Sequence, residues 1–302
     1  MQAELKKKNS LIYGLIHLMI VYIIWGSTYL AMRIGVMPSN GFPPFWLGGT
    51  RLLTAGIILF LYCRFRGYTI QLSKKDFMIA MLAGAFLWVG GHGIVLWCVQ
   101  YVDSGYCALF AASTPIFAAL IQSIIEKKIP SFLLIFSLLT AFLGIFCLSA
   151  QEIKEPASLV YTLILLSAPI FWALGAMLIE HYPLKVNSLV NSAYQQMAGA
   201  VGLLLLALAL GEPLPQPNAA AWGAWVYLLI FGSLIAYTSF IIIFKTLPMS
   251  IAMTYAYVNP VIALFLGWMI LSEPVGASTI GGTLLILSGV AGIFWEKYHK
   301  PK

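Results

Sequence analysis

The chain has 302 residues, 61% of them hydrophobic and only 9% charged, with a mean hydropathy of +0.92; this composition excludes a soluble globular domain and points to an integral membrane protein. The formal net charge of +7 does not argue for nucleic acid, because the basic residues form no patch interleaved with exposed aromatics and mark loops instead. The four cysteines, Cys63, Cys98, Cys107 and Cys147, lie in or at the ends of apolar segments without metal-ligand spacing or a paired framework, so neither a metal centre nor a disulfide scaffold is expected.

At the start, Lys6-Lys7-Lys8 precedes a charge-free run from Asn9 to Met32. That run is too long for a signal-peptide core and is expected to remain as the first helix. Ten apolar spans follow in order: 11–36, 44–63, 77–99, 104–125, 131–149, 157–179, 188–210, 222–246, 250–271 and 276–295. At roughly 1.5 Å per residue such spans cross about 30 Å of hydrocarbon. They are apolar around their whole circumference, as helices of a membrane bundle are. The expected fold is all-α, a polytopic membrane protein of ten transmembrane helices, with residues 1–10 and 296–302 as tails.

Basic residues set the orientation. With the N-terminus in the cytoplasm, 14 of the 17 Lys and Arg residues fall inside, Lys154 falls outside, and Arg33 and Arg51 lie within spans. The positive-inside rule then places both termini in the cytoplasm and the loops near Asn40, Glu152 and Glu212 outside.

The halves also repeat. A shift of 145 residues lays Pro260 on Pro115, Gly289 on Gly144 and Gln196 on Arg51; a shift of 147 lays Trp172 on Trp25 and Glu273 on Glu126. Five spans per half is an odd number, so the second copy, 157–295, must enter the membrane upside down relative to the first, 11–149. Such inverted-topology repeats hold their site near the bilayer midplane at the repeat interface. Each half carries a proline inside a charge-free span, in Ser113-Thr114-Pro115 and in Thr254-Tyr-Ala-Tyr-Val-Asn-Pro260. Proline donates no helical hydrogen bond, so Pro115 and Pro260 are expected to break or kink their helices. The backbone they free is tolerated only inside protein or beside a watery cavity, and the pair reads as hinges of a transporter.

Several motifs resemble the EamA-type branch of the drug/metabolite transporter superfamily, and within it the YedA-type inner-membrane exporters. They are Tyr22-Ile-Ile-Trp-Gly-Ser-Thr-Tyr29, Arg51, Ser113-Thr-Pro115 followed by Glu126, Trp172-Ala, and Thr254-Tyr-Ala-Tyr-Val-Asn-Pro260 followed by Glu273-Pro. The resemblance runs from Leu11 to Trp295. It implies ten helices in two inverted repeats, a central cavity, and export of amino acids, related metabolites or drug-like amphiphiles.

Arg51 sits about seven residues into the second span, where a cation is costly unless it faces the bundle or water. It can hold a solute carboxylate with two parallel hydrogen bonds, or else pair with carbonyls or snorkel outward. Arg33 lies nearer the outer end, where snorkelling is the better account. Trp25, Tyr29, Trp88, Trp97, Trp172, Tyr237, Tyr255 and Tyr257 each offer an apolar face with a polar tip. Of these, Trp25, Tyr29, Trp172 and Tyr257 are the expected wall of a solute site, together with Arg51, His92, Gln196 and Asn259. His92, in Gly90-Gly-His-Gly93, can touch solute, carry protons or bond a neighbouring helix. Gln196, Asn259 and the other uncharged polar residues inside spans can serve the solute or tie helices together. Glu126 and Glu273 stand at helix ends as gate or capping positions. No cofactor is implied, and the expected partners are a small-molecule solute and the lipid bilayer. An intramembrane enzyme would need a nucleophile with its base, a metal pair or apposed carboxylates, and all ten acidic residues lie in loops, at termini or at span ends. A channel without alternating access is the other alternative. With no carboxylate deep in a span, facilitated transport with little proton dependence is expected.

Overall fold

The computed structural model describes residues 2–38, 40–125, 127, 129, 131–152, 156–247, 249–252 and 254–299. These residues are helical and contain no strand. The main helices are α1 (Gln2–Gly35), α2 (Pro44–Phe65), α3 (Lys74–Cys98), α4 (Ser104–Ile125), α5 (Phe132–Glu152), α6 (Pro156–His181), α7 (Ser188–Ala209), α8 (Ala219–Thr246), α9 (Tyr255–Leu271) and α10 (Ala277–His299). Among the described residues seven helices, α1 to α4 and α6 to α8, are long and apolar enough to cross a membrane. The apolar stretches of α5, α9 and α10 are shorter, at Ile135–Gly144, Val258–Leu271 and Ala277–Gly289.

Side chains at the helix starts explain several boundaries. Ser73 accepts from the amide of Asp76 at 3.1 Å, Asn187 from Leu189 at 2.9 Å and Asn218 from Ala221 at 2.9 Å, each satisfying an amide that the first turn leaves free. At α2 and α4 a carboxylate from a distant loop does the same work. Glu212 accepts from the amides of Phe45 (3.2 Å) and Trp46 (3.1 Å). Glu273, 8% exposed, accepts from the Ser104 amide (3.0 Å), the Ser104 hydroxyl (2.9 Å) and the Gly105 amide (3.3 Å). Of the gate and capping roles open to Glu273, capping is the one seen. Glu126 lies outside the described residues. Arg33 does not run free to the interface, as its place near the helix end suggests, but donates to the Val99 carbonyl at 2.5 Å beyond the end of α3, where a cation complements the helix dipole.

Three helices depart from regular α geometry. The middles of α3 and α8 are π-helical, over Ala85–Gly93 and Leu228–Ala236, corresponding helices of the two halves. α4 is interrupted between Ala111 and Thr114. Pro115 cannot donate to the Ala111 carbonyl, and the Thr114 hydroxyl does so instead, at 2.7 Å. In the second half, by contrast, Pro260 lies inside the continuous helix α9, which begins five residues before it at Tyr255, after the short helix Met249–Ala252. The two prolines therefore match in sequence but not in the position of the break.

Helix α2 packs along α7, α4 along α9 and α5 along α10; α1 lies against α8 and α9, while α3 and α4 lie against α6. Moving five helices along the chain maps this set of pairings onto itself. Small residues permit the closest of them. A Cβ placed on Gly199 of α7 would fall onto the Cβ of Trp88 in α3, whereas one on Gly223 would meet nothing within 4 Å. Gly199→Ala is expected to destabilise by about 1–3 kcal/mol through overpacking. Gly223→Ala should be neutral or stabilise by up to about 1 kcal/mol, and paired thermal melts in detergent check the contrast.

Glu212 supplies a second test. Burial raises its carboxyl above the ordinary value, against the two amide hydrogen bonds, which pull it down. A raised value means that the native state holds this proton more tightly than the unfolded chain does. The resulting stability is complete below the ordinary carboxyl value and is lost as pH rises through the raised one. The melting temperature of the native protein relative to Glu212→Gln should therefore fall from about pH 4 toward neutrality; a difference that stays flat or rises counts against this account.

Candidate functional site

The irregular segments converge on one cavity. α1 contributes Trp25, Thr28, Tyr29 and Met32, and α2 contributes Arg51. The π-helical part of α3 supplies Trp88, Gly91 and His92, α4 supplies Phe110, Ala111 and Thr114 on either side of its break, and α6 supplies Leu165, Ala168, Pro169 and Trp172. Gly232, from the π-helical part of α8, and Tyr255 and Asn259 of α9 complete the wall. The cavity has a volume of about 70 Å³, above the ~10–15 Å³ that a single water needs.

Aromatic rings cluster along one part of the wall. Trp25 and Trp172, the residues that the shift of 147 superimposes, meet edge to face at 5.5 Å between centroids. Trp25 also packs on Tyr255 at 5.4 Å and on Phe240 at 4.9 Å, and the Trp172 indole donates to the Tyr255 hydroxyl at 3.0 Å. Edge-to-face pairs of this kind are worth about 0.5–1.5 kcal/mol each beyond the area they bury.

Arg51 is the charged group on the wall. It is 2% exposed, and its Nη2 lies 2.6 Å from His92 Nε2. Guanidinium can only donate, so Nε2 is the acceptor, the imidazole proton sits on Nδ1, and His92 is neutral in this arrangement. The guanidinium carbon stands 5.7 Å from the Trp88 ring centroid, within cation–π range. Arg51 Nε is buried without a hydrogen-bond partner. Gly232 lies beside the group: a Cβ there would stand 3.6 Å from Nη1, an ordinary van der Waals contact. No acidic side chain lines the cavity among the described residues.

Asn259, 4% exposed, is oriented by its partners. With its amide nitrogen turned inward it donates to the carbonyls of Tyr255 and Tyr22, 3.2 Å from each, and so bridges α9 to α1. The Tyr22 hydroxyl reinforces that bridge at 2.5 Å from the Thr254 hydroxyl.

Of the residues expected from sequence to form the site, Trp25, Tyr29, Arg51, His92, Trp172 and Asn259 share this wall. Gln196 does not. It is fully buried behind it, with Nε2 donating to Ser192 Oγ at 3.0 Å and to the Ser233 carbonyl at 3.2 Å, and it ties α7 to the π-helical part of α8. The Tyr257 side chain lies outside the described residues. Neither Pro115 nor Pro260 touches the cavity, although their neighbours Thr114 and Asn259 do. Trp88 and Tyr255 are on the wall, whereas Trp97 and Tyr237 are not. Sequence reading passed over Pro169 and Gly232. Pro169 carries the same signal as the other two prolines, a proline within a charge-free apolar span.

Comparison with known proteins agrees with this architecture. The model of the EamA-like transporter family matches twice, at residues 12–150 and 159–295. The uncharacterized inner membrane transporter YedA of Escherichia coli (strain K12) is 31% identical over 249 residues, 82% of this chain and 79% of its own. The uncharacterized transporter YoaV of Bacillus subtilis (strain 168) is 26% identical over 276 residues, 89% of this chain and 92% of its own. A solved crystal structure superimposes over 97% of this chain and 99% of its own with a TM-score of 0.68 at 17% identity, a likeness of fold. The chain is a multi-pass membrane protein, and it belongs to the EamA-like transporter family.

Proposed function

We propose that the protein is a secondary transporter that exports small metabolites, such as amino acids or amphipathic drug-like solutes, by alternating access. In this reading ten spans form two inverted five-helix repeats, 11–149 and 157–295, in the inner membrane with both termini in the cytoplasm. The observation that carries it is the cavity, whose wall is drawn from α1 to α4 and from α6, α8 and α9. The twofold match of the family model and the helix pairings that map onto themselves support the repeats. Trp25, Tyr29, Arg51, His92, Trp172, Tyr257 and Asn259 are the proposed solute contacts. Gln196 is kept as a buried brace behind them.

The helix pairings that map onto themselves speak for a carrier over a channel, as inverted repeats do. The relatives' names as transporters fit a protein that is not an enzyme. Purified protein in liposomes should accumulate labelled solute by counterflow when a panel of amino acids and amphipathic compounds is screened. Trp172→Ala should lower the initial rate by about tenfold, the scale of losing one well-packed aromatic contact. Conductance through the protein without counterflow would favour the channel.

Pro115 and Pro260 are the proposed hinges. Replacing Pro260 with Ala restores a donor to the Ala256 carbonyl and should stabilise the fold. Pro115→Ala should gain less, since Thr114 already serves the Ala111 carbonyl. Initial transport should nevertheless drop in both variants and by about tenfold or more in the double variant if the bends are used in changing access. Melting temperature and initial rate are measured on the same preparations, and full-rate transport by the double variant would remove the hinges from the mechanism.

A further inference from the structure

The feature that the transporter reading leaves unused is the charge balance of the cavity. Arg51 is a full cation, 2% exposed, whose hydrogen-bond partner among the described residues is a neutral imidazole. Its Nε has no partner, and among the described residues no carboxylate lines the space it faces. A buried cation ordinarily meets an anion, because a neutral acceptor and a ring face return only part of the lost hydration. This site has the fork of donors that suits a carboxylate and nothing in the wall to occupy it. The rest of the wall, Trp25, Trp88, Phe110 and Trp172 among it, is apolar and aromatic. The missing counter-charge therefore has to arrive with the solute.

We propose that the cavity takes solutes bearing a carboxylate on an apolar or aromatic body, and that it works as an anion exchanger. This rests on the transporter reading of the same site. With anion bound, Arg51 is neutralised and the loaded protein passes through its closed state carrying no net charge in the cavity. Empty, it must close around an uncompensated cation in a low-dielectric interior, which is costly. Return is then fast only with a second anion, and net movement of one solute is slow while exchange is fast. The carboxylate displaces His92 from Nη2 or takes the second Nη2 hydrogen together with the neighbouring donor on that edge of the guanidinium. Either way the neutral His92 adds no charge of its own.

Two measurements on the full-length protein test this, with N-acetylphenylalanine as the anion and its primary amide as the uncharged counterpart. In detergent at fixed ionic strength, the carboxylate should raise the melting temperature and the amide should not, and Arg51→Gln should erase the difference. An amide that stabilises as well as the carboxylate, or a carboxylate that does nothing, overturns the anion site. In liposomes loaded with labelled N-acetylphenylalanine, efflux should be at least about tenfold faster into medium containing unlabelled N-acetylphenylalanine than into medium without it, as the cost of an empty buried cation requires. Equal efflux overturns exchange while leaving the transporter reading intact. Anion-selective binding with no flux in either medium overturns exchange and the transporter reading together. Arg51→Lys separates position from charge: a point charge without the planar fork should keep part of the exchange preference and lose most of the affinity.

Discussion

Lipid offers no hydrogen bonds, and that constraint organises everything else in this protein. A backbone carbonyl or amide without a helical partner has to be turned toward other protein or toward a polar pocket. The chain contains such groups at the interruption of α4, at Pro169 and Pro260, and in the two π-helical stretches. With the exception of Pro260, whose neighbour Asn259 stands in for it, each of these lies on the wall of the central cavity. The site is thus where the irregular backbone was gathered to be satisfied. Thr114 illustrates the economy of the solution, since its hydroxyl answers the Ala111 carbonyl that the following proline leaves vacant.

Much of this was legible in the sequence because the signals are those of the solvent. Long charge-free spans, lysines concentrated in alternate loops and prolines at mid-span all follow directly from hydrocarbon thickness and charge cost, and they led to a helical membrane protein with Trp25, Arg51, His92 and Trp172 near one another. Other features depend on contacts between distant helices. Gln196 falls opposite Arg51 when the halves are superimposed, yet α7 packs so closely that its amide is spent on Ser192 and Ser233. The roles of Glu212 and Glu273 as caps for helices more than a hundred residues away could not be read locally, because each uses an unrelated loop to reach an amide pair. The π-helical stretches leave only a faint mark, the clustered glycines of Gly90-Gly-His-Gly93 and Gly232.

Two kinds of contact hold the bundle together. The carboxylates of Glu212 and Glu273, from loops of the second half, clasp the starts of α2 and α4 in the first. Trp25, Trp172, Tyr255 and Phe240 meet through ring contacts that are strong in sum, with one hydrogen bond among them, from the Trp172 indole to Tyr255. Side chains that slide are suited to repeated parting, and charge-assisted bonds to backbone amides are suited to holding register. Arg51 sits between these regimes, held by an imidazole and a ring face in place of an acid.

The π-helical stretches of α3 and α8 hold one residue more than the same length of α-helix would need. Such a surplus behaves as a dislocation in a crystal does. It can move along the helix by exchanging one carbonyl partner at a time, and every residue it passes turns by about 100° about the axis, the angle between successive residues of a helix. Trp88 and His92 ride on that stretch in α3, and Gly232 on its counterpart in α8. Movement of either surplus would turn wall residues on its side of the cavity without unwinding the helix that carries them.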